Sequence, residues 1–101
     1  MREFVVRVAD VGSFEDFIAA FNEGFCRHVG GHWGGNLDAF NDYLSWPDEG
    51  RYRLIFQGWP ECAAALARVP YQPRQSMRDV ILEILRDNDQ VEVVTVSPET
   101  G

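Results

Sequence analysis

Three short strand-like runs, 2–9, 51–57 and 91–96, are separated by segments whose apolar residues recur at helical steps. A chain that returns from strand to strand through helices pairs those strands in parallel, and right-handed crossovers place the helices on one face. The order along the chain is β-α-α-β-α-α-β. It predicts the α/β class, with a three-stranded parallel sheet and helices packed on it.

In the first run Phe4, Val6 and Val8 alternate with Val5 and Arg7. Val11-Gly12 marks a turn, and Ser13 is an N-cap with Glu15 and Asp16 in the first helical turn behind it. Phe14, Phe17, Ile18, Phe21 and Phe25 then recur at three- and four-residue steps, predicting a helix to about Cys26 whose phenylalanine stripe is core. After the glycine-dense loop HVGGHWGG at 28–35, Asn36 caps a short helix to about Ser45, with Leu37, Phe40 and Leu44 on its apolar line. Pro47, Asp48 and Gly50 turn the chain.

In the second strand Tyr52, Leu54 and Phe56 alternate with Arg51, Arg53 and Ile55. Pro60 opens a helix to about Arg68, which Pro70 and Pro73 break. A fourth helix is expected from about Arg74 to Arg86, with Met77, Val80, Ile81, Ile84 and Leu85 facing inward. Asn88 and Asp89 punctuate before the last strand, and 97–101 reads as a frayed tail.

With 101 residues, 46% of them hydrophobic, the chain is expected to form one domain over 1–101. No apolar run approaches the roughly 18 residues of a membrane span, and MREFVVRVAD lacks a signal-peptide pattern, so the expected address is the cytoplasm. There Cys26 and Cys62 are expected as reduced, packed thiols. Sixteen acids against nine basic residues, all arginine, give a net charge of −7. That balance repels phosphate, arguing against direct nucleic-acid binding and anionic membrane surfaces, and it attracts a basic partner.

Cys26, His28 and His32 lie close enough in sequence to raise a metal site, with Cys62 as a distant fourth ligand, but paired ligand spacing is missing. Gly30, Gly31, Gly34 and Gly35 precede a helix start as in a phosphate loop, yet no lysine or arginine accompanies them and Asp38 follows. Asp38 and Asp42 form a carboxylate pair without an evident cleft, and no nucleophile–histidine motif is present. The expectation is a protein that is not an enzyme and carries no cofactor or metal. A small His/Cys metal-binding protein and an acidic interaction module for some other basic protein are the alternatives.

The unusual feature is the helix after the glycine loop. Asp38 and Asp42 stand four residues apart on one face, where like charges oppose a helix by roughly 0.2–0.5 kcal/mol. Between Trp33 and Gly50 four acids meet no arginine. Asn41 and Ser45 share that side, flanked by His32, Trp33 and Trp46. Aromatic residues beside uncompensated carboxylates suit an interface facing a basic protein.

These residues carry a resemblance. HWGGNLDAFNDYL, His32 to Leu44, resembles the signature of the barstar family of intracellular ribonuclease inhibitors, matching it at Trp33, Gly34, Asn36, Leu37, Asp38, Ala39, Phe40, Asp42 and Leu44. The resemblance implies a barstar-like fold and a monomer whose second helix and preceding loop plug the active site of a basic ribonuclease, barnase-like or another small nuclease toxin. It implies that Asp42 occupies the phosphate pocket, that Asp38 pairs with arginine or lysine, and that His32, in place of a tyrosine, stacks in the cleft. Gly34, Asn36, Ser45 and Trp46 line the contact, and Glu83 supplies a further acidic one. Asn41 stands where the family has tryptophan and Gly35 where it has a larger residue, which points to a ribonuclease unlike barnase or another basic nuclease.

Overall fold

The computed structural model describes residues 2–47 and 50–97; Asp48 in the second turn and the end of the expected tail, 98–101, lie outside them. Strands β1 (Glu3–Arg7), β2 (Tyr52–Gln57) and β5 (Val91–Val96) form a parallel sheet in the order β1-β2-β5. Four helical segments join them: α1 from Phe14, α2 (Leu37–Leu44), α3 (Trp59–Leu66) and α4 (Met77–Asp87). This is the expected α/β architecture.

Period-two alternation decides which sheet face is covered. Phe4 and Val6 of β1, Tyr52, Leu54 and Phe56 of β2, and Val91 of β5 are buried against the helices. Phe17 and Phe21 meet Trp33 and Phe40 there, and Phe25 packs on Phe21 and Tyr52; the Phe21–Phe40 and Trp33–Phe40 ring centroids are each 4.8 Å apart. Burying such rings is the largest favourable contribution a domain of this size can draw on. Tyr52 is buried with its hydroxyl satisfied, donating to the Leu44 carbonyl at 2.6 Å and so tying β2 to the end of α2.

Three details differ from the sequence expectation. The first helix passes Cys26: α-helical over Phe14–Phe21, it widens to a π-helical turn over Asn22–Cys26 and ends in one α-turn, Arg27–Val29. Gly24 lies in the wide turn, where a Cβ would come within 2.6 Å of the Val5 carbonyl, so only glycine lets helix and strand backbones approach this closely. Second, Pro70 and Pro73 do more than break a helix. Pro70–Gln72 (β3) and Gln75–Ser76 (β4) pair as a small antiparallel hairpin.

Third, α4 starts at Met77 rather than near Arg74, because Ser76 is its cap. The Ser76 hydroxyl accepts from the Asp79 N–H, and the Asp79 carboxylate accepts from the Ser76 N–H at 3.2 Å. That backbone bond, reinforced by Arg78, holds the Asp79 carboxyl below its usual range.

Gly58, between β2 and α3, has φ +89 and would place a Cβ 2.5 Å from the Ala9 Cα. Gly30 has φ +90 with open space around it. Gly30→Ala is expected to cost about 1–2 kcal/mol, the left-handed penalty alone. Gly58→Ala adds a backbone clash and is expected to cost about 3 kcal/mol or more, read as a lower urea midpoint at unchanged slope.

Candidate functional site

The loop before α2 is held from four directions. The Asn22 side chain grips the Trp33 backbone from both sides: its Oδ1 accepts from the Trp33 N–H at 2.6 Å and its Nδ2 donates to the Trp33 carbonyl at 2.8 Å. The Trp33 indole N–H donates to the Asn36 carbonyl at 2.7 Å. The Tyr43 hydroxyl donates to the His32 carbonyl at 2.7 Å, and the Tyr43 ring packs on Trp46 with centroids 4.3 Å apart. Gly35, at φ +104, lies against Ile18 and Phe14.

Asn36 is the expected cap, its Oδ1 accepting from the Ala39 N–H at 3.1 Å. It starts α2 with Asp38 in the first turn, where the helix dipole favours a negative charge. Phe40 and Leu44 are buried, so the helix is rotationally fixed and Asp38, Asn41, Asp42 and Ser45 fall on its exposed side. Among the described residues neither the Asp38 nor the Asp42 carboxylate has an ion-pair or hydrogen-bond partner.

Asn88, just past α4, joins the two helices: its Nδ2 donates to Asn41 Oδ1 at 3.2 Å and to Ser45 Oγ at 3.1 Å. The Gln90 amide donates to the Pro47 carbonyl beside it. Between α2 and α4 runs an open groove of about 510 Å³. Leu37, Val80 and Ile84 give it an apolar floor, Asp38, Asp42 and Asp87 give it acid, and Tyr71 of the hairpin stands at one side.

The residues singled out in the sequence are distributed as follows. His32, Gly34, Asn36, Asp38, Asn41, Asp42, Ser45 and Trp46 are all exposed along the loop and α2. A Cβ on Gly34 would meet nothing within 4 Å, so the fold itself does not require glycine there. Trp33 is a correction. It is fully buried among Phe14, Phe17, Phe21 and Phe40 and supports the loop from behind, so it has no face to offer a partner.

Glu83 is exposed on α4, accepts from the Gln75 amide at 3.0 Å, and lines a neighbouring hollow rather than the groove. Asp87, one turn further on, is the α4 acid beside Asp38 and Asp42. Sequence reading missed Asp87, Tyr71, Asn22 and Asn88. The spacing of Glu83 and Asp87 along a helix was an available signal for the first. Nothing local points to the others, because their partners lie far along the chain.

Cys26, His28 and His32 do not converge. Cys26 is buried, His28 faces a hollow beside β1 next to the Phe4 ring, and His32 is in the outer loop. Among the described residues no three His, Cys, Asp or Glu side chains come together as a metal site, and no helix is long and apolar enough to cross a membrane.

Fold and site together are those of an α/β protein that carries on its helical side an acidic helix, held rigidly and left without counter-ions among the described residues. The chain belongs to the barstar family: the family's sequence model, described as barstar (barnase inhibitor), matches residues 1–96. Members of that family inhibit barnase-type ribonucleases and are not themselves enzymes. None of the curated proteins compared with the chain matches it significantly.

Burial pushes the Cys26 thiol up to about 11 and the Cys62 thiol up to about 12. Both therefore stay protonated in the folded chain while the unfolded chain releases its thiol protons from pH 9.0 upward. Their contribution to stability is complete below pH 9.0 and is lost as pH rises toward 11–12. Urea unfolding across that range is expected to show falling stability, with a shallower fall in Cys26→Ala/Cys62→Ala.

Proposed function

We propose that this protein inhibits a basic, barnase-type ribonuclease by laying α2 and the preceding loop over its active site. The observation that carries this reading is the pair Asp38 and Asp42, exposed on one face of a fixed helix with no cation of their own among the described residues. A ribonuclease gathers cationic side chains where it holds the scissile phosphate. Carboxylates delivered to that place satisfy those cations without offering a bond to cleave. Asp42 takes the phosphate position, and Asp38 pairs with a neighbouring arginine or lysine.

His32 and Trp46 supply exposed rings beside the acids, and Gly34 permits close approach of a partner's backbone. Asn36, Asn41 and Ser45 complete the contact. Asp87 extends the acidic surface onto α4, and Glu83 adds charge at its margin. A net charge of −7 draws a basic nuclease in over long range, the effect for which the barnase–barstar pair is itself the standard case. The braced loop reduces the ordering cost of binding.

The partner is identified by chemistry: a small, basic ribonuclease whose cleft lacks the site that a tryptophan at Asn41 would fill. Inhibition of RNA cleavage by barnase-type ribonucleases tests the reading, and absence of inhibition at micromolar protein overturns it. Asp42→Ala is expected to raise Kd by roughly thirtyfold or more, about 2 kcal/mol, within the range that barnase-type interfaces themselves define. Glu61→Ala, exposed on α3, is expected to change it less than about twofold. Equal effects would remove α2 from the contact.

A further inference from the structure

Three tyrosines occur in the chain, and two of them build the fold. Tyr52 is buried with its hydroxyl on the Leu44 carbonyl, and Tyr43 braces the loop through the His32 carbonyl and the Trp46 ring. Tyr71 does neither. It is 43% exposed, and among the described residues its hydroxyl has no hydrogen-bond partner and its ring no aromatic neighbour.

The backbone that carries Tyr71 is nevertheless held firmly. Pro70 precedes it and Pro73 follows two residues on, each with a fixed φ. Pro70 pairs with Ser76, the cap of α4, and the Met77 N–H donates to the Val69 carbonyl at 2.8 Å. The hairpin is thereby joined to the start of α4, and its tyrosine lines the groove between α2 and α4. No basic side chain lines that groove, and its three carboxylates, Asp38, Asp42 and Asp87, have no ion-pair partner among the described residues.

Given the inhibitory role proposed for α2, on which this rests, we propose that Tyr71 is a further recognition residue: its ring stacks on an arginine side chain that the ribonuclease lays in the groove. Chemistry selects the occupant. An apolar floor with acid around it matches a side chain that has an apolar stem and a cationic head. A guanidinium is planar and weakly hydrated, so it lies flat on an aromatic face and still offers its N–H edge to carboxylates. A lysine ammonium is compact and strongly hydrated, and has no plane to stack. A neutral apolar side chain would desolvate the acids without compensation. The tyrosine ring has few rotatable bonds on a braced hairpin, so ordering it on binding costs little.

Inhibition of a barnase-type ribonuclease by Tyr71 variants tests this. Tyr71→Ala is expected to raise Kd about tenfold, Tyr71→Leu nearly as much, and Tyr71→Phe less than about twofold, because the ring rather than the hydroxyl makes the contact. Equal urea midpoints are expected for all three, since the ring lies outside the core. In double-mutant cycles with alanine substitutions of the arginines around the nuclease cleft, one arginine is expected to couple to Tyr71 by at least about fivefold. Unchanged inhibition by Tyr71→Ala, beside a loss in Asp42→Ala, would overturn this role of Tyr71 and leave α2 as the inhibitory helix. Full binding by Tyr71→Leu, or coupling to no arginine, would overturn the stacked arginine. No inhibition by the parent protein would overturn both readings.

Discussion

The grip of Asn22 on Trp33 is the interaction on which the recognition surface depends. One side chain satisfies both backbone polar groups of a residue whose ring is buried, so the loop cannot shift without breaking two hydrogen bonds and opening the aromatic core. The Trp33 indole passes that constraint to Asn36, and Asn36 caps α2. The aspartates thus stand on a helix whose start is anchored in the hydrophobic centre. Asn88 fixes its far end.

Charge is distributed unevenly. On the sheet Arg53 bridges two glutamates, and on α4 Arg78 sits beside Asp79. Along α2 the acids have no such partners among the described residues. Exposed pairs of the first kind contribute little stability. Acids of the second kind gain nothing from a counter-ion; Asp38 is favoured by the helix start, and its repulsion from Asp42 opposes the helix slightly. A helix kept in that condition by its capping and its buried face has its electrostatics directed outward.

Much of this was legible from residues 4–8, 52–56 and 91–96, because alternation with a period of two and helical gaps leave few topologies. Asn36, Asp38 and Asp42 were legible because a cap and a four-residue spacing are local signals. What escaped was long-range or subtle. Trp33 reads as a surface aromatic beside glycines, and only the packing of α1 shows that its ring is swallowed. The hairpin at 70–76 is too short to show alternation, so Tyr71 went unnoticed. The π-helical turn follows from the approach of Gly24 to β1, which no helical periodicity encodes.

Gly34, exposed and with open space where a side chain would stand, exemplifies a wider division of labour. The side chains proposed to meet a nuclease, His32, Asp38, Asp42 and Trp46, project from the scaffold, whereas Asn22, Trp33, Phe40 and Leu44 build it. Substitutions in the first group alter what is recognised with small effect on folding. An inhibitor divided in this way can follow a drifting target through successive changes on its rim, each one affordable because the scaffold beneath is untouched.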